Sequence, residues 1–327
     1  MRSRKKHPKA ILVTGCAGFI GSSFAAQFLK RFPRATVIGI DDLSEGKKSA
    51  VPAGVVFYKG SILEARLLDR LFKKHRPEYV FHFAARPRVS FSVAHPALST
   101  EVNIVGTVRL LEKSREYGVQ RFIFSSSSSV YGDAKTLPAR EATHPPDPQS
   151  PYALQKYASE RFCEQFSRFF GLETVCLRYF LAYGPGQYGD SAYMTVIAAW
   201  LESLYFPKRK EGFIEGDGTQ SRDFSYIDDI VEANILAMRH PGPFLGETLN
   251  IASGKAYTIN EVHERIERIT GRKLELEQRP PRAGDVRRTL ADIRNARRLL
   301  GYAPKVDFAT GLARTVAWFE GRAAKAR

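Results

Sequence analysis

The sequence predicts an α/β fold: a doubly wound parallel sheet followed by a smaller second lobe. The first observation is that short β-rich runs alternate with helical patterns over the first 180 residues. The second is that these β-rich runs are apolar throughout, as expected for strands buried on both faces. The third is that the alternation stops near residue 180, where Gly- and Tyr-rich segments begin. A chain of 327 residues is long enough for such a two-part organisation.

The elements of the first part follow each other in strict order. Strands are predicted at 10–15, 36–41, 55–60, 79–85, 121–127 and 174–180. Helices are predicted at 19–31, 63–74, 98–117 and 152–170. Each strand–helix–strand unit makes a right-handed crossover, so the helices cover both faces of one parallel sheet.

The second part is more irregular. The pattern predicts a loop at 181–193, a helix at 228–239, a strand at 248–253, a helix at 259–270, and a basic loop from 278 that leads into a last helix. We therefore divide the chain into a basic tail (1–9), a sheet domain (10–180) and a smaller lobe (181–320). Part of this lobe, about 223–252, is expected to pack back on the sheet domain.

The net charge of +16 is unusual and is concentrated near the two ends of the chain. The cations at the ends are Arg2, Arg4, Lys5, Lys6, Lys9, Arg322, Lys325 and Arg327. Such tails are usually solvated. No nucleic-acid-binding module is recognisable, so we expect no specific nucleic-acid partner. A nucleotide-phosphate substrate, which requires only a few local cations, is the alternative explanation for part of the charge.

Export and membrane insertion are not expected. The apolar N-terminal stretch carries three glycines at regular spacing, which suits a turn better than a signal peptide. No apolar run is long enough to span a bilayer. The three cysteines are odd in number and lack metal-type spacing, as do His82, His95 and His144. We predict a cytoplasmic protein with free buried thiols and no metal site.

A glycine-rich turn predicts a dinucleotide site. Gly15, Gly18 and Gly21 directly follow the first strand and open the first helix. Glycine permits the tight turn and lets the backbone approach a diphosphate at the helix N-terminus. Asp41, at the end of the second strand, is placed to accept hydrogen bonds from the ribose hydroxyls. Because its carboxylate would repel a 2′-phosphate, NAD is preferred over NADP.

A second group of residues predicts acid–base chemistry. Tyr152 and Lys156 are four residues apart and lie on one helix face. They follow the strand of RFIFSSSSSVYG (121–132), whose serines lie at the carboxyl end of the sheet, where such folds bind ligands. A phenol is a poor base at neutral pH, but a nearby ammonium stabilises the phenolate. A serine hydroxyl can then hydrogen-bond the reacting oxygen of a substrate and share its proton.

Together these motifs resemble an extended short-chain dehydrogenase/reductase. The glycine triplet, HFAA (82–85), NIVGT (103–107), SSSSSVYG and Tyr152/Lys156 are most similar to NAD-dependent nucleotide-sugar epimerases and dehydratases, closest to the UDP-N-acetylglucosamine (UDP-hexose) 4-epimerases. The resemblance covers nearly the whole chain. It implies a Rossmann-like fold, NAD as cofactor, a UDP-sugar substrate, and a homodimer formed through helices 98–117 and 152–170.

The resemblance also implies roles for individual residues. Ser127, Tyr152 and Lys156 are the predicted catalytic residues. The predicted cofactor contacts, besides the glycines, Asp41, Tyr152 and Lys156, are Phe19, Ile20, Asp42, Ser44, Ser61, Ile62, Phe83, Ala84, Ala85, Asn103 and Tyr179. The predicted substrate contacts, besides Ser127 and Tyr152, are Arg86, Ser128, Ser129, Leu181, Val196, Arg222, Arg282, Asp285 and Thr289. Arg222 and Arg282 are chemically suited to the UDP diphosphate.

Ser128 and Ser129 predict the outcome of the reaction. Similar 4,6-dehydratases carry an Asp-Glu pair at these positions, and similar decarboxylases carry a Glu at the second. With only hydroxyls there, the expected outcome is oxidation at C4, rotation of the 4-keto sugar and return of the hydride to the other face. A 4-epimerase is therefore predicted. A dehydratase, a decarboxylase and a non-catalytic NAD-binding scaffold stay as alternatives.

The resemblance places Thr289 at the position that gates sugar size in these enzymes, and a small residue there favours an N-acetylhexosamine. UDP-glucose and UDP-glucuronate stay open as substrates. Arg86 and Arg88 can meet a C6 carboxylate or, as is more common for arginines in a loop, face solvent. Two residues depart from the family pattern. Leu181 replaces an Asn that contacts substrate, and Ser61 replaces an Asp that contacts adenine. We expect Leu181 to alter substrate binding and Ser61 to make a weaker contact with adenine.

Overall fold

A computed structural model describes residues 8–188, 195–206, 212–280 and 286–326. The strands are β1 (Ala10–Thr14), β2 (Thr36–Asp41), β3 (Val55–Lys59), β4 (Tyr79–His82), β5 (Arg121–Ser127), β6 (Thr174–Tyr179), β7 (Leu181–Tyr183), β8 (Phe213–Glu215), β9 (Ser221–Tyr226), β10 (Leu245–Ile251), β11 (Ala256–Thr258) and β12 (Glu277–Arg279). The helices are α1 (Phe19–Arg31), α2 (Ala65–His75), α3 (Val89–Ala94), α4 (Pro96–Thr100), α5 (Gly106–Glu116), α6 (Pro151–Phe170), α7 (Val196–Tyr205), α8 (Ile227–Arg239), α9 (Ile259–Thr270), α10 (Arg294–Leu300) and α11 (Phe308–Ala326). A wide turn of π-helix, Glu101–Val105, joins α4 to α5.

The centre of the molecule is a seven-stranded sheet in the order β10-β6-β5-β4-β1-β2-β3, and every pair in it is parallel. This confirms the predicted Rossmann-like α/β fold. The order reverses beside β1, because the chain builds β2 and β3 on one side of it and β4, β5 and β6 on the other. In open parallel sheets a crevice for ligands lies at this point, outside the carboxyl ends of the strands.

Two apolar layers hold the helices to the sheet. Helices α1, α8 and α10 pack on one face, and α2, α5 and α6 pack on the other. Successive residues of β1 point to opposite layers: Ile11 and Val13 lie in the first and Leu12 in the second. Phe24 of α1 and Phe81 of β4 are fully buried with ring centroids 4.2 Å apart. Burial of each such ring stabilises the fold by about 2 kcal/mol.

Arg121, at the start of β5, joins the sheet to α8 and is fully buried. Its guanidinium donates to the carbonyl oxygens of Ala237, Met238 and His240 at the end of α8. It also pairs with Glu173, with Arg121 Nη2 2.6 Å from Glu173 Oε2. The last carbonyl groups of a helix have no partner within the helix, so Arg121 supplies their missing donors.

The smaller sheets are built from the second half of the chain. One has the order β11-β9-β7 and the other pairs β12 with β8. A separate apolar cluster, which includes Trp200, Phe224, Val262, Phe308 and Phe319, lies beneath them. Within the segment expected to pack on the first part, β10 is the edge strand of the large sheet and α8 packs in the same apolar layer as α1.

Several sequence-based expectations need correction. Arg322 and Lys325 lie in helix α11 and not in a disordered tail. Lys325 is exposed as expected, whereas Arg322 Nη1 is 2.9 Å from Glu202 Oε2. The strand predicted at 79–85 ends at His82, since Phe83 and the residues after it leave the sheet. The strand predicted at 55–60, which is β3, was expected to be buried on both faces. It lies at the edge of the sheet, and its Val56 is exposed.

The sequence analysis also missed elements. Helices α3, α7 and α11 and strands β7, β8, β9, β11 and β12 were not predicted. The three cysteines are all buried and free, as predicted. Of the basic tail, residues 1–7 lie outside the described part of the chain.

Candidate active site

A cavity of about 600 Å³ opens at the carboxyl ends of the central strands. It is lined by the glycine-rich turn after β1 and by the loops after β2, β4 and β5. The start of α6 and residues 179–182 close it on the side of the second lobe. The cavity therefore occupies the crevice beside β1 where the strand order reverses.

Two glycines of the glycine-rich turn, Gly15 and Gly21, leave no room for a Cβ. Gly15 has φ +70°, and a Cβ there would lie 2.7 Å from the backbone nitrogen of Ala84. A Cβ on Gly21 would lie 2.1 Å from the carbonyl oxygen of Gly15. Gly18, the N-cap of α1, provides no side chain to accept from the first N–H groups of the helix, and the first turn holds no acidic residue. The open, positive end of α1 thus fits a diphosphate.

Asp41 ends β2 on the opposite side of this turn. Its carboxylate accepts hydrogen bonds from the backbone nitrogens of Ala17 at 2.9 Å and Leu43 at 2.8 Å. Burial raises the pKa of this carboxyl, while the two backbone donors oppose the shift. A carboxylate oxygen accepts more than one hydrogen bond, so Asp41 keeps the capacity to bind ribose hydroxyls.

A buried chain of hydrogen bonds holds the loop after β4 against the glycine turn. Thr107 Oγ1 donates to the carbonyl oxygen of Asn103, so it must accept from His82 Nε2, 2.9 Å away. His82 Nδ1 then accepts from Thr14 Oγ1 at 2.7 Å, and Thr14 Oγ1 accepts from the backbone nitrogen of Ala84. The chain requires neutral His82. Burial, with the nearby charge of Lys156, keeps the pKa of His82 well below its usual range.

Tyr152 and Lys156 lie in the first two turns of α6 and both line the cavity. Ser150 caps this helix by accepting from the backbone nitrogen of Ala153, and Pro151 follows at its first position. The Nζ atom of Lys156 is 5.9 Å from the centre of the Tyr152 ring and donates to the carbonyl oxygen of Ser125 at 2.7 Å. Burial lowers the pKa of Lys156 to about 8, although the carboxylate of Glu160 opposes this shift.

Glu160 was missed by the sequence analysis. It lies two turns after Tyr152 on the same face of α6, so the spacing Tyr-x-x-x-Lys-x-x-x-Glu could have revealed it. Its carboxylate accepts two hydrogen bonds from Arg178, at 2.8 Å and 2.7 Å, and another from Ser126 Oγ. Both members of the ion pair are at most 5% exposed. Glu160 therefore ties α6 to β6 through Arg178 and to β5 through Ser126, one turn after Lys156.

The run of serines divides into two groups. Ser125 and Ser126 are buried in β5, whereas Ser127 ends the strand and accepts a hydrogen bond from the backbone nitrogen of Ser129 at 3.2 Å. All five serines touch the cavity. Ser129 Oγ is buried and has no hydrogen-bond partner among the described residues. A buried hydroxyl without a partner at a cavity wall is suited to a ligand.

Arg86 and Arg88 both pair with carboxylates of the chain. Arg86 Nη2 is 3.4 Å from Asp42 Oδ2, and Arg86 Nη1 is 3.7 Å from Glu45 Oε1. Arg88 Nη2 is 3.6 Å from the same Glu45 oxygen. The Arg86 side chain is only 16% exposed. The expectation that these arginines face solvent is therefore wrong for Arg86, and both have carboxylate partners within the chain.

Most predicted site residues are brought together at the cavity. The predicted residues in its wall, besides those described above, are Phe19, Ile20, Ser44, Ser61, Ile62, Phe83, Ala85, Ser128, Tyr179, Leu181, Arg222 and Thr289. Asn103 and Val196 lie outside that wall. The amide of Asn103 bonds the backbone of Arg86 and the side chain of Gln155, so it supports the loop from behind. Arg282 and Asp285 lie outside the described residues.

Other wall residues were not predicted. They include Glu45, Lys47, Gln149, Phe180, Tyr188 and Val286. These residues belong to irregular loops, where no periodic pattern marks the side chains that face a cavity. Ser61, placed at the adenine end by the sequence, uses its hydroxyl oxygen to accept from the backbone nitrogen of Leu63 at 3.2 Å.

Across the described ranges, no three His, Cys, Asp or Glu side chains are grouped as ligands for a metal ion. In that same part of the chain, no helix combines the length and the apolar character needed to cross a membrane.

Comparison with known proteins identifies the family. The model of the NAD-dependent epimerase/dehydratase family matches residues 11–252. The chain belongs to this family. The glycine turn, the open end of α1 and Asp41 fit the NAD that gives this epimerase family its name. The predictions of an NAD cofactor and of an NAD-dependent nucleotide-sugar epimerase are confirmed.

Relatives within the epimerase family are similar over almost their full length. A crystal structure of UDP-glucose 4-epimerase with UDP-glucose from Thermotoga maritima has a TM-score of 0.90 and 40% identity, covering 96% of this chain and 99% of that one. A UDP-N-acetylglucosamine 4-epimerase from Methanobrevibacter ruminantium, in complex with UDP-N-acetylmuramic acid, has a TM-score of 0.87 and 33% identity, covering 97% and 100%. The UDP-glucuronate 4-epimerase of Thermodesulfobacterium geofontis is 34% identical over 321 residues, covering 94% and 95%.

Proposed function

We propose that the protein is a UDP-sugar 4-epimerase acting on UDP-N-acetylglucosamine and UDP-N-acetylgalactosamine. The observation that carries the reaction type is the distribution of carboxylates in the cavity. Among the described wall residues, the acidic ones are Asp41, Asp42 and Glu45, all at or after the end of β2. Beside Tyr152 the wall offers hydroxyls, so no described carboxylate is placed to remove water from a 4-keto sugar.

The roles of the catalytic residues follow from their chemistry. When bound, NAD supplies the nicotinamide that takes a hydride from sugar C4 and returns it. Tyr152 takes the proton of the C4 hydroxyl as a phenolate and gives it back to the same oxygen. Lys156 stabilises that phenolate by its charge. Ser127 donates a hydrogen bond to the reacting oxygen, and Ser129 Oγ binds the sugar.

The substrate assignment is supported by the wall of the second lobe. Thr289 lines the cavity, and its backbone nitrogen donates to the carbonyl oxygen of Ser221 at 3.1 Å, which holds Thr289 beside β9. A small residue there leaves room for an N-acetyl group. Arg222, in the same wall, contacts the UDP diphosphate. The aliphatic Leu181 gives the sugar no hydrogen-bond donor from its side chain.

UDP-glucuronate is less well supported than the neutral sugars. A C6 carboxylate needs a cation in the sugar half of the cavity. Arg86 and Arg88 are held by Asp42 and Glu45 instead. UDP-glucose is smaller than its N-acetylated analogue, and a cavity that accepts the larger sugar does not exclude it.

We also propose a homodimer formed through α4–α5 and α6. These helices carry exposed apolar side chains on the outside of the molecule: Leu98, Val105, Leu154, Phe162 and Phe169. Large exposed apolar residues gathered on neighbouring helices are typical of an interface. Light scattering at micromolar concentration should give twice the chain mass, and Phe162→Glu should reduce it to the monomer mass. A monomeric wild-type protein would contradict this proposal.

Proton NMR tests the proposed function. Purified protein is incubated separately with UDP-N-acetylglucosamine, UDP-glucose and UDP-glucuronate. We expect the anomeric signal of the C4 epimer to appear fastest with the N-acetylated sugar and to reach the same ratio from UDP-N-acetylgalactosamine. A faster reaction with UDP-glucuronate would refute the substrate assignment. A product lacking water or carbon dioxide would refute the reaction type.

A further inference from the structure

Two loops face each other across the glycine-rich turn. In the large sheet β2 and β4 are the two neighbours of β1. The loop after β2 carries Asp42 and Glu45, and the loop after β4 carries Arg86 and Arg88. All four side chains line the cavity. Any contact between these loops therefore crosses over the end of β1, where the dinucleotide lies in this fold.

The contact between the loops is electrostatic. One carboxylate oxygen, Oε1 of Glu45, is 3.7 Å from Arg86 Nη1 and 3.6 Å from Arg88 Nη2. Asp42 adds a second contact to Arg86 at 3.4 Å. Glu45 and the Arg86 side chain are each only 16% exposed, so water screens this group less than an ordinary surface pair. We call Asp42, Glu45, Arg86 and Arg88 the ion-pair bridge.

Both ends of the ion-pair bridge are anchored to the fold. Asn103 fixes the backbone of Arg86 by accepting from its nitrogen at 2.7 Å and donating to its carbonyl oxygen at 3.2 Å. On the other side, the backbone nitrogen of Lys47 donates to the carbonyl oxygen of Ala17 at 3.2 Å. The loops are thus held at their bases, and the charged side chains span the space between them.

The ion-pair bridge is not fully satisfied within the described chain. Glu45 Oε2, Arg86 Nε and Arg88 Nε are buried and have no hydrogen-bond partner there. Polar atoms of this kind are expected to meet a ligand or to rearrange when one binds. Because the bridge contains two positive and two negative groups, it adds no net charge above the diphosphate.

We propose that the ion-pair bridge is a strap that closes over NAD and retains it through turnover. Glu45 is its central residue, since it receives both arginines. NAD leaves only when these pairs separate, so the pairs set the rate of release and contribute little to the sugar chemistry. The inference rests on the NAD site and not on which sugar is bound.

The experiment measures the release of NAD directly. Protein saturated with NAD is mixed with excess radiolabelled NAD, and exchange is followed by rapid gel filtration. Glu45→Gln and Arg88→Met should each release NAD about tenfold faster, the size expected for loss of a partly buried network of ion pairs. The double variant should release no faster than Glu45→Gln alone, because both changes break the same contacts.

Salt provides a second measurement on the same proteins. Raising the salt concentration from 0.05 M to 0.5 M should accelerate release from the wild type and leave Glu45→Gln nearly unchanged. Glu264→Gln, an exposed change on α9 far from the cavity wall, is the matched control and should release NAD like the wild type. Equal circular dichroism spectra check that each variant is folded.

Two results would overturn the proposal. If Arg88→Met speeds release while Glu45→Gln slows it, the arginines grip the dinucleotide themselves and the carboxylate competes with it. If neither variant alters the rate, the ion-pair bridge does not control release. Should Glu45→Gln fail to fold, Asp42→Asn takes its place, because it removes the other carboxylate that pairs with Arg86. Faster release then supports the strap, and slower release contradicts it.

Discussion

Replacing Lys156 by methionine tests the buried ammonium behind the candidate base. Lys156 is 4% exposed, and burial lowers its pKa from 10.5 to about 8. A shift of this size corresponds to about 3 kcal/mol by which the folded state disfavours the charged form. Methionine has nearly the same length and no charge, so Lys156→Met removes this cost together with the hydrogen bond to Ser125.

The pH dependence separates the two effects, because the lost hydrogen bond costs the same at every pH. The penalty for burying the ammonium is fully present below about pH 8 and fades as the pH rises towards 10.5, since the unfolded chain then binds more protons than the folded one. Between pH 7 and pH 9 the wild type should therefore gain about 1 kcal/mol of unfolding free energy relative to Lys156→Met.

The assay is urea unfolding of NAD-free protein, followed by far-ultraviolet circular dichroism at pH 7, 8 and 9. Lys30→Met, at an exposed position near the end of α1, is the control, and its difference from the wild type should not vary with pH. A constant difference between the wild type and Lys156→Met over this range would refute the argument. A wild type that loses stability relative to the variant as the pH rises would refute it more strongly.

Three further outcomes are expected. Tyr152→Phe should abolish turnover while NAD stays bound, because it removes only the phenolic oxygen. Substantial remaining activity would show that Tyr152 is not the base. Arg121→Met should lower the free energy of unfolding by about 3 kcal/mol, since it leaves buried carbonyl oxygens without donors, and a change below the error of urea unfolding would contradict its capping role. Glu160→Gln should move the alkaline fall of kcat to lower pH by about one unit, because the carboxylate that favours the charged form of Lys156 is lost. The control is Glu164→Gln, one turn further along α6, which should not change the pH profile of kcat. If the profile of Glu160→Gln is also unchanged, Glu160 has a structural role only.

The sequence predicted the large sheet well because its strands are marked by long apolar runs. β1, β5 and β6 are buried on both faces, so nearly every residue in them is apolar or internally paired. The strands of the second lobe could not be found in the same way. β7, β8 and β11 contain three residues each, which is too short for a period of two to stand out.

The residues of the candidate site also differ in how well the sequence predicted them. Gly15 directly follows β1, Asp41 ends β2, and Tyr152 and Lys156 lie in the first two turns of α6, so their positions relative to these elements bring them to one edge of the sheet. The partners of Arg86 depend on two loops whose contact spans more than 40 residues of sequence, as the separation of Asp42 and Arg86 shows. No local pattern contains such a contact, and the arginines could therefore only be predicted to meet an anion or solvent.

The measurement that tests the central claim most directly follows the hydrogen atoms of the sugar. UDP-N-acetylglucosamine labelled with deuterium at C4 is converted in ordinary water, and the product is examined by proton NMR and mass spectrometry. We predict that the C4 epimer keeps its deuterium at C4 and takes up no hydrogen from solvent at C5. Loss of the label at C4, or exchange at C5, would contradict an internal return of the hydride and the epimerase mechanism assigned to Ser127, Tyr152 and Lys156.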